Sequence, residues 1–193
     1  MNKVHFNLKN VHYAKLTVGA DGTVTFGTPV AIPGAVSLAL SPEGDTTKFY
    51  ADGIAYYVSA ANNGYSGDLE LALVPDEFRK DILGEVEDTT SKVLTEYSNT
   101  ETSPFALLFE FDGDAKAIRH VMYNCSAARP SVEGQTVTTS KDPTTEKLTI
   151  TASMLADGRV KAKTGAETPA ATYDNWYKTV WQPTGAEVQS YGE

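Results

Sequence analysis

The chain has 193 residues and a formal net charge of −9, with 25 acidic and 16 basic side chains. This length fits one domain with a core of its own. The acidic excess argues against a protein that grips nucleic acid, because phosphate binding needs clustered Lys and Arg. No run of 18 apolar residues occurs, so we expect no membrane-spanning helix. The single cysteine excludes an intrachain disulfide and fits folding in a reducing cytosol.

The first third of the chain alternates apolar and polar residues between turn signals, which is typical of short antiparallel strands. Residues 4–8 and 11–18 alternate in this way, and the sequence GADG at 19–22 predicts a hairpin turn. The segment 41–53, SPEGDTTKFYADG, is too long for a tight turn and is predicted to be a loop. Alternation resumes at 54–58.

The hydrophobic period changes abruptly after the strand predicted to end at Val74. From Pro75 onward the apolar residues recur every three or four positions, as Phe78 and Ile82 do, and Gly84 suits a helix end. Pro75 is tolerated in a first turn because its missing N–H has no intrahelical partner there. The sequence therefore predicts a short helix at about 75–83, which must pack its apolar stripe on a sheet because two turns do not persist alone.

The second half repeats the strand pattern and ends in a different one. The strongest strand is FALLFEF at 105–111, which is apolar on both faces and is therefore expected to be covered on both sides. Residues 164–171 have the composition of a linker. Beyond them, Tyr173, Trp176, Tyr177, Val180 and Trp181 follow helical spacing, which predicts a short C-terminal helix at about 173–181.

These elements together predict a mainly β fold, a sandwich or barrel of about ten short antiparallel strands with one or two short helices. We expect a β-sandwich domain at 1–164 and a C-terminal arm with a short aromatic helix at 165–193. The aromatic helix has two interpretations at this point. It docks on its own domain as core, or it covers a neighbouring copy of the chain.

No constellation typical of catalysis, metal binding or cofactor binding is found, and we expect no enzyme. His120 and Cys125 are five residues apart on a predicted strand, so a regular strand points them to opposite faces and forbids a dyad. His5, His12 and His120 lack metal-ligand spacing. Four Asp-Gly pairs stand where hairpins need turns, and none continues as a calcium loop; their aspartates are Asp21, Asp52, Asp112 and Asp157.

Arg119 and His120 form the one unusual polar pair on the strand predicted at 115–125. One interpretation is an outward cation beside a partly buried, hydrogen-bonded imidazole. The other is a contact between subunits, because arginine is common at interfaces.

Four long stretches carry a resemblance to a known family. In order, they are GAVSLALSPEGDTTKFYADGIAYYV, NNGYSGDLELALVPDEFRKDILGE, PFALLFEFDGDAKAIRHVMYNCSAARPSV and EKLTITAS. The chain resembles the major tail proteins of bacteriophages with long non-contractile tails, from about residue 3 to about 181. The resemblance implies a non-enzymatic subunit of the virion tail, made and assembled in the host cytoplasm. Hexameric rings would stack around a tape-measure protein, between initiator or distal tail proteins and a terminator, and DNA would pass without specific binding.

The resemblance also implies that an extended loop between two early strands reaches toward a neighbouring ring. The matching segment here is 41–53, and its polar and aromatic side chains are candidate interface residues. With Arg119 added, the candidates are Glu43, Asp45, Lys48, Phe49, Tyr50, Asp52 and Arg119. The alternative from another class is a non-enzymatic β-sandwich module for carbohydrate binding or adhesion. Burial of the C-terminal tryptophans would argue against it, because sugar-stacking aromatic residues need an exposed platform.

Overall fold

The computed structural model describes residues 2–136 and 143–184, and this part of the chain is mainly β with two short helices. All strands pair antiparallel. The strands are β1 (His5–Val18), β2 (Val24–Phe26), β3 (Val30–Ala31), β4 (Ala35–Glu43), β5 (Thr46–Ala51), β6 (Ile54–Ala60), β7 (Gly64–Leu71), β8 (Val86–Glu87), β9 (Leu94–Thr95), β10 (Phe105–Gly113), β11 (Ile118–Ala127), β12 (Glu146–Ser153) and β13 (Lys161–Lys163). The helices are α1 (Asp76–Asp81) and α2 (Ala170–Asp174).

Nine strands form one sheet in the order β2–β1–β10–β11–β12–β7–β4, with β3 also paired to β1 and β13 to β11. In the part of the chain that the structure describes, β5 pairs only with β6, and β8 only with β9. The predicted mainly β fold with two short helices is confirmed. The sheet does not close into a barrel, since β2 and β4 stand at its two ends.

The sheet is covered on both sides, and β10 contributes to both cores. Phe105, Leu107 and Phe109 face the larger one, the main core, which also takes residues from β1, β7, β11, β12 and α1. Ala106 and Leu108 face the smaller one, the outer core. The prediction that this strand is covered on both sides is confirmed, and its doubly apolar sequence is the reason it occupies a central position.

Helix α1 packs into the main core as the hydrophobic stripe predicts. It begins after Pro75 and ends at Ile82. Phe78 is fully buried, and its ring stands edge-on to the rings of Tyr13 and Phe105, at centroid distances of 5.1 and 5.4 Å. These aromatic contacts hold a helix that is too short to persist alone.

The C-terminal segment packs against the outer core. The helix lies at Ala170–Asp174, earlier than the predicted 173–181, because Pro169 starts it and single turns follow. Trp176 is buried, and its ring stacks on Trp181 at 6.1 Å. Of the two interpretations, docking on its own sheet is the one observed.

The two strands predicted at 4–8 and 11–18 are one strand, β1. Asn7 and Asn10 adopt positive φ angles of 57° and 50°, and the register against β10 shifts at each of them. Each shift is a bulge that inserts one extra residue without ending the strand. Asn tolerates this conformation better than most residues. The apolar–polar alternation of β1 is therefore interrupted at Asn7 and Asn10, while β1 stays paired with β10 on either side of them.

Candidate subunit-contact surfaces

A two-stranded extension projects from the sheet where a loop was predicted. The β4–β7 ladder ends with the pair Glu43–Gly64, and two backbone hydrogen bonds carry it onward: Asn63 donates to Glu43 at 2.9 Å and Ala61 to Asp45 at 3.0 Å. β5 and β6 then pair from Thr46–Ala60 to Ala51–Ile54. The loop prediction for 41–53 is therefore wrong. We call residues 46–60 the ribbon, and it extends roughly 20 Å beyond the β4–β7 ladder.

Glycines set the geometry of the ribbon at both of its ends. At its root, Gly44 has φ 135°, and a Cβ there would overlap the carbonyl oxygen of Ala61. At its tip, Asp52 and Gly53 have φ 52° and 76°, which makes a two-residue turn of the type that matches strand twist. The Asp-Gly turn is as predicted. Because the turn takes only two residues, the segment before it pairs with β6 as a strand and does not form a loop.

The ribbon exposes large apolar side chains on both of its faces. Six of them are between 51% and 69% exposed. An isolated two-stranded hairpin is only marginally stable in water, and exposed apolar area of this kind marks a binding surface. The six are Phe49, Tyr50, Ile54, Tyr56, Tyr57 and Val58.

The structure brings six of the seven candidate interface residues together on the ribbon or at its root. The residues placed there are Glu43, Asp45, Lys48, Phe49, Tyr50 and Asp52. Sequence reasoning identified β6 as a strand and did not assign Ile54, Tyr56, Tyr57 and Val58 to the surface. Aromatic residues at two adjacent positions, 56 and 57, were the available signal, because a half-buried strand alternates.

Arg119 lies elsewhere, in a buried polar network between β10, β11 and the C-terminal segment. Its Nε donates to Glu110 at 2.9 Å, and its guanidinium stacks over the Tyr173 ring at 3.7 Å. Glu110 also accepts from Asn10 at 2.6 Å and from the Tyr177 hydroxyl at 3.2 Å. The interpretation of Arg119 as an outward cation is wrong. The side chain is 17% exposed, and its contacts are within its own chain.

This network clamps the C-terminal segment onto the sheet. Arg119 donates to the backbone carbonyl of Tyr173 at 2.5 Å, and Trp176 donates its indole N–H to the carbonyl of His120 at 3.2 Å. Burial and the nearby Glu110 carboxylate raise the pKa of Tyr177 well above its usual range. Tyr177 therefore remains a neutral hydroxyl donor, as the contact with a buried carboxylate requires.

His120 is partly buried on the main-core side. Its ring lies parallel to that of Phe109, with centroids 5.0 Å apart. Burial, helped by the charges of Lys163 and Lys161, lowers the pKa of His120 to about 4. The imidazole is therefore uncharged at neutral pH. It can stack on Phe109 without the cost of burying a charge.

Cys125 is a core residue, as predicted, although the geometric argument about its partner was wrong. The β10–β11 register shifts between Met122 and Cys125, so one extra residue is inserted there. This bulge returns Cys125 to the face that His120 occupies. About 16 Å of strand still separates the two residues. Burial raises the pKa of the Cys125 thiol to about 12, so it is not a thiolate nucleophile.

The side of β4, β7 and β12 opposite the main core is polar, and we call it the polar face. Its acids accept hydrogen bonds from neighbouring hydroxyls: Thr149 donates to Asp68 at 2.9 Å and Ser37 to Glu70 at 2.9 Å. Bonds from Thr145 and Ser37 lower the pKa of Glu70. The lowered pKa keeps Glu70 ionised at neutral pH, and both acids are engaged with side chains of their own sheet.

Residues 2–136 and 143–184 contain no group of three or more His, Cys, Asp or Glu side chains placed to hold a metal ion. Within those residues, neither helix has the length and apolar character needed to cross a bilayer.

The described residues form a mainly β body with an exposed apolar ribbon, and the chain matches one family model. The family model described as phage tail tube protein matches residues 2–182. The chain belongs to that family and is a structural protein of the phage tail.

A search of functionally curated proteins found no match. Among solved structures, the fold is similar to the cap that terminates the tube of the anti-feeding prophage, solved by cryo-EM, with 10% identity and a TM-score of 0.40. That match covers 84% of this chain and 94% of the cap chain.

Proposed function

We propose that this chain is the repeating subunit of the tail tube of a phage with a long non-contractile tail. Six copies form a ring, and rings stack around a tape-measure protein between distal tail and terminator proteins. DNA later passes through the bore during ejection. The observation that carries the proposal is the ribbon, because a tail tube family member with six large apolar side chains in solvent has a surface made for other subunits.

The ends of the sheet support the same proposal. β4 is nine residues long, and within residues 2–136 and 143–184 it pairs on one side only. A long free edge in a native protein is either protected or paired with another chain. Edges from neighbouring copies can pair in a head-to-tail contact, which closes into a ring when the rotation per subunit divides the circle.

We assign the bore to the polar face. Its side chains are polar, its acids Asp68 and Glu70 are held by hydroxyls of the same sheet, and its cation Lys147 stands opposite Glu70 in the ladder. A ring of six would carry roughly 54 negative charges, which repel phosphates at short range. Such a lining would let DNA slide without specific binding.

Electron microscopy of the purified protein in negative stain, at rising concentration, tests the proposal. Rings or tubes with a central hole, six-fold in projection, are the expected result. Persistent monomers that bind glycans tightly would instead favour the carbohydrate-binding alternative. The burial of Trp176 already removes one of the aromatic residues that such a module would need exposed.

A further inference from the structure

We infer that Asn63 is a site of spontaneous deamidation and that the side chain of Asn62 sets the rate of that reaction. The inference does not depend on the proposed function. It follows from the backbone of residues 61–64, where β6 is joined to β7, and from the position of Gly64 beside β12.

The fold requires glycine at position 64. Gly64 is buried and has a φ of 101°, a conformation that residues with a Cβ rarely adopt. A Cβ at this position would overlap the carbonyl oxygen of Ala152 on β12. That oxygen cannot move aside, because the next residue of β7, Tyr65, pairs with Ala152 in the ladder. The residue that follows Asn63 can therefore only be glycine.

An asparagine followed by glycine is prone to deamidation, because glycine has no side chain to hinder attack on the amide. The sequence contains this pair once, and Asn63 is exposed to water. Asparagine is among the residues that limit the chemical lifetime of proteins. The fold thus places the reactive amide in solvent and prevents the substitution of Gly64 that would remove the hazard.

The reaction needs water and no other reagent. The Gly64 nitrogen gives up its proton and attacks Cγ of Asn63. The new N–Cγ bond closes a five-membered imide, the Cγ–Nδ2 bond breaks, and ammonia leaves with the proton. Water then opens the imide at either carbonyl, which gives aspartate or isoaspartate at position 63.

In the folded chain the attacking nitrogen is engaged by the neighbouring side chain. The Gly64 N–H donates to Oδ1 of Asn62 at 3.2 Å, a bond that asparagine commonly makes to the backbone two residues on. A proton held in this bond is given up less readily. The N–H of Asn63 also donates, to the carbonyl oxygen of Glu43 at 2.9 Å. Imide closure rotates the backbone of Asn63 and therefore competes with both bonds.

The product changes the connection between β6 and β7. Each deamidation adds one carboxylate to a chain whose net charge is −9. Isoaspartate also adds one carbon to the main chain between positions 63 and 64. Because Gly64 lies directly against Ala152, the longer connection cannot keep both Gly64 and the bond from position 63 to Glu43 in place. Isoaspartate therefore loosens this end of the β4–β7 ladder.

Three single variants test the inference. N62A removes the acceptor, N62D keeps an oxygen acceptor at the same position, and N99A is the matched control at an exposed asparagine in another turn. Each protein is incubated at pH 8 and 37 °C, either folded or in 6 M guanidinium chloride. Mass spectrometry of the peptide that contains position 63 follows the gain of 1 Da, and fragment spectra assign it to Asn63. The Asp-Gly pairs do not interfere, because an aspartate that forms the same imide is hydrolysed without a change of mass.

We expect folded N62A to deamidate about fivefold faster than the folded wild type, the factor that corresponds to one hydrogen bond of ordinary net strength. N62D and N99A should keep the wild-type rate. In guanidinium chloride the wild type and N62A should react equally fast, and at least as fast as folded N62A. Amide hydrogen exchange at Gly64 is a second readout that needs no variant, and it should be slow in the folded wild type.

Each part of the inference can be overturned separately. If folded N62A reacts at the wild-type rate, or if N62A is faster by the same factor in guanidinium chloride, Asn62 does not set the rate through its bond to Gly64. Exchange of the Gly64 amide as fast as in an unfolded peptide would lead to the same conclusion, including the case in which N62A fails to fold. If Asn63 gains no mass even in guanidinium chloride, it is not a site of deamidation.

Discussion

Arg119 shows how a single side chain can stabilise the monomer in a position where an interface role seemed reasonable. Glu110 is almost fully buried, and Arg119 is its one cationic partner among the described residues. Removing one member of a buried ion pair leaves an uncompensated charge, which is strongly destabilising. The network therefore makes a prediction about folding that an interface role would not make.

We predict that R119M lowers the free energy of unfolding of the monomer by about 3 kcal/mol, measured by urea denaturation at neutral pH. The double variant E110Q/R119M should be more stable than R119M alone, because Gln carries no charge, its oxygen still accepts from Asn10, and its NH2 can donate to the Tyr177 hydroxyl oxygen. If E110Q lowered the free energy of unfolding further in the R119M background, the proposed stabilisation by the Arg119–Glu110 pair would be wrong. If R119M left the free energy of unfolding unchanged but impaired assembly, Arg119 would instead be an interface residue.

His120 makes stability depend on pH in a defined window. The pKa of the folded ring is about 4, below its ordinary value of 6.5. The unfolded chain therefore takes up the proton first as the pH falls. The contribution of His120 is fully present above pH 6.5 and is lost between pH 6.5 and 4. Because the ring is only partly buried, we expect a loss of about 2 kcal/mol, less than the full shift would give.

The measurement is the free energy of unfolding at pH 7 and at pH 4 for the wild type and H120Q. The difference between the two proteins should change by about 2 kcal/mol over this range. Lys161, Lys163 and His5 face the ring and disfavour its charged form. Parallel pH curves for the two proteins would show that His120 does not titrate in this window.

At the scale of elements, α1 was predictable because its signals are local. A proline at the start, an apolar pair four residues apart and a glycine at the end need no knowledge of the rest of the chain. We predict that F78A lowers the free energy of unfolding by about 4 kcal/mol, since a fully buried ring would leave a cavity against Tyr13 and Phe105. E77A, on the exposed side of the same helix, should change it by less than about 0.5 kcal/mol.

The ribbon was not predictable in the same way, although its strand pattern was visible. Alternation indicates that one side of a strand is covered, but it does not indicate whether the cover belongs to the same chain. β6 was recognised as a strand and its exposure was not. The bulges at Asn7, at Asn10 and between Met122 and Cys125 were also missed, because the sequence argument assumed regular strands. One inserted residue reverses the side of the sheet to which all later side chains of the strand point.

Gly44 offers a way to disturb the ribbon without touching its side chains. At φ 135°, and with the Ala61 carbonyl where a Cβ would stand, G44A must displace the root of the ribbon. We predict that G44A reduces assembly at least tenfold, measured by sedimentation. G22A is the matched control, because Gly22 also has a positive φ, 80°, but has open space around it. Equal effects of the two variants would show that the root geometry is irrelevant.

At the scale of the whole molecule, charge and apolar surface act in opposite directions. Each subunit carries a net charge of −9, so copies repel one another, while the ribbon surface that we propose as their contact is apolar. Salt screens the repulsion and leaves the apolar contact intact. The response of assembly to salt therefore reports which kind of contact holds the proposed tube together.

We predict that raising NaCl from 50 mM to 500 mM lowers the protein concentration needed for assembly, measured by sedimentation. Over this range the Debye length falls from more than 10 Å to about 4 Å, so the facing carboxylates of the polar face interact less. D68N/E70Q should assemble at lower salt than the wild type and respond less to added NaCl, because two acids of that face lose their charge and keep an acceptor for Thr149 and Ser37. Assembly that weakens as salt rises would mean that ion pairs between subunits dominate. In that case the apolar ribbon would not be the main source of cohesion.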